Sequence, residues 1–171
     1  GRKWVEDYNE DWQDRQQTKS LVIYGNPGSG KSAFCVNYSH YNSDVYGCFL
    51  CEWNREFSIN PHQLIRTMAF RLATTLPDYR KWLLHQLEQI DNGLAEMKDD
   101  ALFEFLLSYP LNHLVDGGRE NGMIIVDGLD EAEKGGTNPL AAVFARCVER
   151  LPRGIRFIFT SRPEKSVISL F

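Results

Sequence analysis

The sequence has no apolar run near the roughly 20 residues that a membrane-spanning helix requires, and it shows no secretory signal pattern. It also has no excess of basic residues, because 19 lysines and arginines stand against 23 aspartates and glutamates, for a net charge of −4. Dedicated nucleic-acid-binding domains usually carry a basic excess. We therefore expect a cytoplasmic domain that has no membrane partner and for which nucleic acid is not an expected partner.

Cysteine is scarce, and the cysteines present do not form a recognisable metal or redox set. Cys48 and Cys51 have the C-x-x-C spacing of such sites, but they lie in a strand-like run where residues three apart point to opposite faces. A second pair of ligands is also missing. We therefore predict that Cys35, Cys48, Cys51 and Cys147 are buried free thiols in a reducing compartment.

The composition is that of one globular domain, with 43% hydrophobic and 25% charged residues in a chain of 171. We divide the chain into a lead-in segment, residues 1–19, and a core, residues 20–171. The chain begins without methionine and stops in an apolar, helix-like segment. Both ends are therefore expected to be cuts within a longer protein.

Strand-like and helix-like patterns alternate along the chain. Short apolar runs predict strands at 21–25, about 48–53, 123–126 and 156–160. This alternation predicts an α/β fold with a doubly wound parallel sheet and helices on both faces. Ligands of such sheets bind at the carboxyl ends of the strands.

Helical spacing and capping residues predict the helices between these strands. Helices are expected at 31–41, after Asn60-Pro61, after Pro77, from about 98 to a break or kink at Pro110, and after Asn138-Pro139. In the first of them we expect Ala33, Phe34 and Tyr38 to face inward.

The most specific motif is a phosphate-binding loop, or Walker A motif, between the first predicted strand and the first predicted helix. It reads Gly25, Asn26, Pro27, Gly28, Ser29, Gly30, Lys31, Ser32, a match to G-x-x-x-x-G-K-[ST]. Glycines let the backbone turn tightly enough to present several N–H groups to phosphate oxygens. Lys31 places a positive charge near the β- and γ-phosphates, where we expect it to bind the nucleotide and to assist catalysis. The Ser32 hydroxyl can complete the coordination shell of a Mg²⁺ ion. We include the following Ala33 in the predicted nucleotide-binding set.

A carboxylate directly follows the apolar run 123–126, at the same sheet edge as the phosphate loop. This Walker B position predicts that Asp127 faces Mg²⁺, directly or through water. Asp130 and Glu131 lie one short turn further on, where one of them can orient or deprotonate an attacking water. We favour Glu131. The alternative is that both acids begin a solvated loop.

The last predicted strand ends in Thr160-Ser161-Arg162. A guanidinium at this edge can reach a γ-phosphate and report whether it is present. The alternative is that Arg162 is a surface arginine paired with Glu164 or Asp130.

Adenine is expected rather than guanine, because the sequence has no Asn-Lys-x-Asp segment of the type that GTPases use to read guanine. Two other functions are compatible with the sequence. A small-molecule or nucleoside kinase shares the phosphate loop and the fold, although the sequence offers no obvious Arg-rich lid. A non-hydrolysing scaffold would use the nucleotide only for stability.

Three motifs together resemble a NACHT module, a class of STAND P-loop signalling ATPase. They are the phosphate loop Gly25–Ser32, the segment Met123–Ala132 with its paired acids, and the terminal Phe159–Pro163. Their order and spacing fit, and they bracket residues 25–163. The segment that begins with Gly1-Arg2 is similar to the Gly-Arg segment that such proteins place near the adenine, which implies an adenine contact for Arg2.

The resemblance implies a sheet in the order 5-1-4-3-2, of which the fifth strand is expected to be missing from this chain. It also implies binding of ATP or ADP with Mg²⁺, and slow hydrolysis used as a switch that controls self-association. Such proteins usually carry an effector domain upstream, and helical, winged-helix and repeat sensor domains downstream.

Overall fold

The computed structural model describes residues 18–90, 93–115 and 121–171. Four strands form one sheet in the order β1-β4-β3-β2, and every neighbouring pair is parallel. The strands are β1 (Ser20–Tyr24), β2 (Val45–Leu50), β3 (Gly122–Asp127) and β4 (Ile155–Ser161). The predicted α/β class and parallel sheet are therefore confirmed.

The helices lie between these strands in the predicted alternation. They are α1 (Lys31–Tyr41), α2 (Glu56–Ile59), α3 (Pro61–Thr75), α4 (Pro77–Leu87), α5 (Asp99–Phe103), α6 (Tyr109–Val115), α7 (Pro139–Cys147) and α8 (Lys165–Ile168). A π-helical turn spans Glu104–Ser108, and 3₁₀ turns span Gly93–Ala95, Leu129–Ala132 and Val148–Arg150. No helix within the described ranges is both long and apolar enough to cross a membrane.

The second strand begins and ends about three residues earlier than its predicted range, 48–53. Its pairing with β3 ends where Leu50 lies opposite Asp127, and the Cys51 N–H makes one further bond to the Asp127 carbonyl at 2.9 Å. The Arg55 N–H then bonds to the Glu52 carbonyl, which closes a turn and removes Trp53 from the sheet. The apolar character of Trp53 therefore gave a false strand signal.

The central strands are buried on both faces, as the continuous apolar run in β3 predicts. Within the described residues, α1 covers one face, where Phe34 and Cys35 pack against Met123, Ile125 and Ile158. The larger core lies on the other face, beneath α3, α5 and α7. Its centre includes an aromatic cluster of Phe103, Phe144, Phe157 and Phe159.

The prediction that Ala33 faces inward is wrong, because Ala33 is exposed. Phe34 and Cys35 are buried and Tyr38 is partly buried, and these three positions define the inner face of α1. At about 100° per residue, Ala33 falls nearly opposite the centre of that face. Its small apolar side chain gave no signal that separated it from the core.

Two asparagines cap helices as predicted. The Asn60 side chain accepts a hydrogen bond from the Gln63 N–H at 3.1 Å, and the Asn138 side chain accepts one from the Ala141 N–H at 2.8 Å. In each case the next residue is a proline at the first helical position, where its missing N–H has no cost.

Pro110 does not end its helix, which continues through α6 to Val115. The π-helical turn immediately precedes the proline, and the Tyr109 N–H bonds to the Glu104 carbonyl, five residues back. A proline removes one donor from the helix and crowds the preceding turn. Of the predicted break or kink, the break is absent, and the helix passes the proline through this wider turn.

The prediction that all cysteines are buried free thiols is wrong for one of them. All are free, and Cys35, Cys51 and Cys147 are buried, but Cys48 is exposed. Cys48 lies on the α1 face of β2, opposite Ile125, at the edge of the described sheet. Burial raises the pKa of Cys51 to about 12 and that of Cys147 to about 11.

We expect DTNB to modify one thiol per native chain at pH 8, because only Cys48 is accessible and only a thiolate attacks the reagent. Partial desolvation and the nearby Asp127 raise the pKa of Cys48, so this reaction should be slow. Absorbance at saturation gives the count, which should rise to four in denaturant.

The matched variants are Cys48→Ser and Cys147→Ser. The first should abolish the native reaction, and the second should leave it unchanged. A second thiol that reacts as fast as Cys48 would contradict the burial pattern.

Candidate functional site

The predicted phosphate loop joins β1 to α1 at the carboxyl edge of the sheet. The Gly25 N–H donates to the Ser161 carbonyl at 3.1 Å, which ties the start of the loop to the end of β4. Gly28 and Gly30 have φ angles of 74° and 82°, in the left-handed region that residues with a Cβ rarely adopt. The loop conformation therefore depends on these two glycines, of which Gly30 is a fixed position of the motif and Gly28 is a variable one.

The Lys31 ammonium folds back over this loop. Its Nζ donates to the Gly25 carbonyl at 2.6 Å and to the Asn26 carbonyl at 3.2 Å. Within the described residues it has no carboxylate partner, so its charge is balanced only by carbonyl dipoles. An ammonium placed in this way beside a helix N-terminus favours an anion.

Asp127 ends β3 and is only 3% exposed. Its Oδ1 accepts a short hydrogen bond from the Thr160 hydroxyl and lies 3.7 Å from the Cys35 Sγ. The Gly128 N–H in turn donates to the Thr160 Oγ1 at 3.0 Å. The Asp127 Oδ2 receives no hydrogen bond from the described residues, which leaves one carboxylate oxygen for another ligand.

Sequence reasoning missed Thr160 and Cys35 as neighbours of this carboxylate. Thr160 is fully buried, although it is polar and lies at the end of the apolar strand β4. A buried hydroxyl must find a partner. A polar residue at the carboxyl end of a buried strand is therefore a signal that can identify such a residue.

The two acids after Asp127 both bind Arg162. Its Nε donates to the Asp130 Oδ2 at 2.5 Å, and its backbone N–H donates to the Asp130 Oδ1 at 2.8 Å. Its Nη2 donates to the Glu131 Oε1 at 3.0 Å. The hydrogen bond and the charge of Asp130, with a smaller contribution from Glu131, raise the pKa of Arg162.

The turn that carries these acids is fixed from two sides. The Asn138 side chain, which caps α7, also donates to the Leu129 carbonyl at 2.8 Å. Gly128 begins the turn with a φ of 76°, and a Cβ there would lie 3.2 Å from the Cys51 carbonyl oxygen. The Asn138 side chain and Gly128 together hold this turn beside the end of β4. We call it the acidic turn, Leu129–Ala132.

The remaining predicted site residues are either exposed or lie outside the described ranges. Asn26, Pro27 and Ser29 are exposed on the loop, and Ser32 and Ala33 are exposed at the start of α1. Arg2 lies outside the described residues. Within the described ranges no group of three or more His, Cys, Asp or Glu side chains stands ready to hold a metal.

We expect Thr160→Val to lower the free energy of unfolding by about 1–3 kcal/mol, because it leaves the buried Asp127 oxygen and the Gly128 N–H without their partner. Urea denaturation gives the value. Thr67→Val is the matched control, since that hydroxyl is exposed on α3 and its loss should change stability by less than about 0.5 kcal/mol. Equal effects of the two substitutions would contradict the structural role of Thr160.

Comparison with known families gives one match that spans nearly the whole core. The family described as Nephrocystin 3, N-terminal, matches residues 3–162. No curated protein matches the sequence. The matched residues are well over half of the chain, and they include the phosphate loop, Asp127, the acidic turn and Arg162. The chain belongs to the nephrocystin 3 N-terminal domain family.

Proposed function

We propose that this chain is the nucleotide-binding core of a NACHT-type signalling ATPase, which binds ATP or ADP with Mg²⁺ and hydrolyses ATP slowly. The observation that carries the proposal is the meeting of three features at one edge of the parallel sheet. The phosphate loop is bonded to the end of β4, Asp127 is bonded to Thr160 of β4, and the acidic turn is bonded to Arg162. In this proposal the nucleotide state controls self-association of a larger cytoplasmic protein with effector and repeat sensor domains.

The strand order supports the more specific fold assignment. The observed order β1-β4-β3-β2 is what the series 5-1-4-3-2 gives without its fifth strand. In that arrangement a fifth strand pairs with the outer edge of β1. We therefore assign the sheet to the P-loop class in which the Walker B strand is separated from the Walker A strand by one intervening strand.

The phosphate end of a nucleotide fits the loop for two reasons. The left-handed Gly28 and Gly30 turn the backbone so that successive N–H groups can point to one anion. Among the described residues, Lys31 is held by the Gly25 and Asn26 carbonyls, which phosphate oxygens can replace as acceptors. Ser32 and Ala33 add N–H groups at the N-terminus of α1.

Mg²⁺ fits the same edge, since it is usually held by one or two protein oxygens together with phosphates and water. Asp127 would offer its Oδ2, while Thr160 holds the other carboxylate oxygen in place. Ser32 would offer its hydroxyl from the first turn of α1. When bound, the ion neutralises charge on the phosphate oxygens.

The contacts favour Glu131 over Asp130 as the residue that positions or deprotonates the attacking water. Both Asp130 oxygens are used by Arg162, and the Asp130 side chain is almost fully buried. Glu131 gives only Oε1 to Arg162, and 26% of its side chain is exposed. Asp130 therefore acts as the anchor of Arg162, and Glu131 keeps one carboxylate oxygen for water.

Arg162 is assigned as the residue that detects the γ-phosphate. Its side chain is 41% exposed, and its contacts with Asp130 and Glu131 use Nε and Nη2. The Asp130 anchor fixes the guanidinium at the end of β4, on the same edge as the phosphate loop. A γ-phosphate would compete with Glu131 for the outer part of this group.

We expect Lys31→Ala to abolish the rise in melting temperature that Mg-ATP or Mg-ADP produces, because it removes the charge that neutralises the phosphates. A ligand at 100 times its Kd stabilises a fold by about 2.7 kcal/mol. For a domain of this size that is a shift of roughly 5–10 °C. Lys165→Ala is the control, since Lys165 is exposed on α8. An unchanged shift in Lys31→Ala would count against the site.

We expect Glu131→Gln to keep nucleotide binding but lower the rate of phosphate release by about 10²–10⁴-fold, the usual contribution of a general base. Asp130→Asn should instead lower the melting temperature of the free chain, because Arg162 loses its anchor. Hydrolysis that survives in Glu131→Gln and disappears in a folded Asp130→Asn would reverse the two assignments.

The same assay separates the other two functions that the sequence leaves open. Phosphate released to water supports the switch, whereas phosphate transferred to an added alcohol or nucleoside would identify a kinase. Nucleotide binding without any turnover in the intact parent protein would identify a non-hydrolysing scaffold.

A further inference from the structure

An apolar groove of about 390 Å³ lies between α3 and α4, and it shares no residue with the candidate nucleotide site. Its lining comes from the two helices, from the 3₁₀ turn at Leu94 and from the π-helical turn. The lining includes Arg66, Phe70, Arg80, Leu83, Leu84 and Leu87.

The groove is open along its length because two of its walls are exposed. Phe70 is 72% exposed and Leu84 is 56% exposed, whereas Leu83 beneath them is buried. Contiguous exposed apolar surface of this kind marks interaction sites more often than isolated exposed side chains do. A ligand that covered both walls would have to lie along the groove rather than enter a closed cavity.

The spacing of the lining residues matches a helix-binding surface. Arg80, Leu83, Leu84 and Leu87 follow the i, i+3, i+4, i+7 pattern on α4, and Arg66 precedes Phe70 by one turn on α3. A groove lined in this way by two helices can accept the apolar face of a third helix.

Positive charge lies at both ends of the groove. At 1.5 Å per residue, Arg80 lies about 6 Å beyond the junction of the two helices at Leu76, and Arg66 lies about 15 Å before it along α3. Neither arginine forms an ion pair with any described residue, and the lining contains no carboxylate. The nearest acid on α4, Asp78, pairs with Lys81 at 3.5 Å.

We propose that this groove binds an amphipathic α-helix of a partner protein, with an apolar stripe flanked by carboxylates about two turns apart. The two arginines at separate ends favour such a helix over a fatty acid, which has a single charged head. The exposed walls favour it as well, because a helix covers Phe70 and Leu84 together. The inference does not depend on nucleotide binding.

The test uses a fluorescein-labelled designed helix with leucines at i, i+3, i+4 and i+7 and glutamates at both ends. We expect the fluorescence anisotropy of this peptide to rise to a plateau as the full chain is added. A peptide with glutamine in place of the glutamates should bind several-fold more weakly. The double variant Arg66→Glu/Arg80→Glu should bind the glutamate peptide about tenfold more weakly. A peptide with lysines in place of the glutamates should restore the affinity for this variant.

Phe70→Ser should also weaken binding about tenfold, whereas Phe57→Ser should not, since Phe57 is a similarly exposed aromatic outside the groove. Both residues are exposed, so folding should be preserved, which circular dichroism checks. Peptide binding that ignores Phe70 and both arginines would overturn the proposal. So would saturable oleate binding without peptide binding, or self-association of the chain that Phe70→Ser abolishes.

Discussion

The candidate site depends on one buried hydroxyl that joins the ends of two central strands. Thr160 on β4 donates to the Asp127 carboxylate on β3 and accepts from the Gly128 N–H that follows it. A buried carboxylate without such a partner would be costly. The bridge fixes which oxygen of Asp127 is occupied and where the acidic turn begins. It therefore ties the start of the acidic turn to the end of β4.

The acidic turn and Arg162 form the second half of this arrangement. Asp130 uses both of its oxygens on Arg162, so the buried acid positions the arginine, whereas the more exposed Glu131 gives it one oxygen. The two carboxylates are adjacent in sequence but differ in burial and in partners. In the proposed switch, the Glu131 contact is the one that a γ-phosphate would exchange, while the Asp130 contact keeps the arginine in place.

The sequence predicted most of the fold because its signals were local. Asn60 and Asn138 were recognisable as caps followed by proline, and the apolar run before Asp127 was recognisable as a buried strand. Ala33 and Cys48 were misjudged because their burial depends on packing against other elements. Packing decides which face α1 buries, how far α1 covers β2, and whether a π turn makes room for a proline. No short sequence pattern records this packing.

The sequence by itself determined the phosphate loop, since two glycines in left-handed conformation and a following lysine are properties of eight consecutive residues. It also determined that a carboxylate and an arginine end two buried strands. Only the tertiary structure decided that Thr160 holds Asp127, that Asp130 rather than Glu131 anchors Arg162, and that an arginine-flanked groove lies open between α3 and α4. The contacts of Thr160 and Asp130 join residues 33 and 32 positions apart, so they exist only once the parallel strands have brought their ends to one edge, and the groove exists only once α3 and α4 pack together.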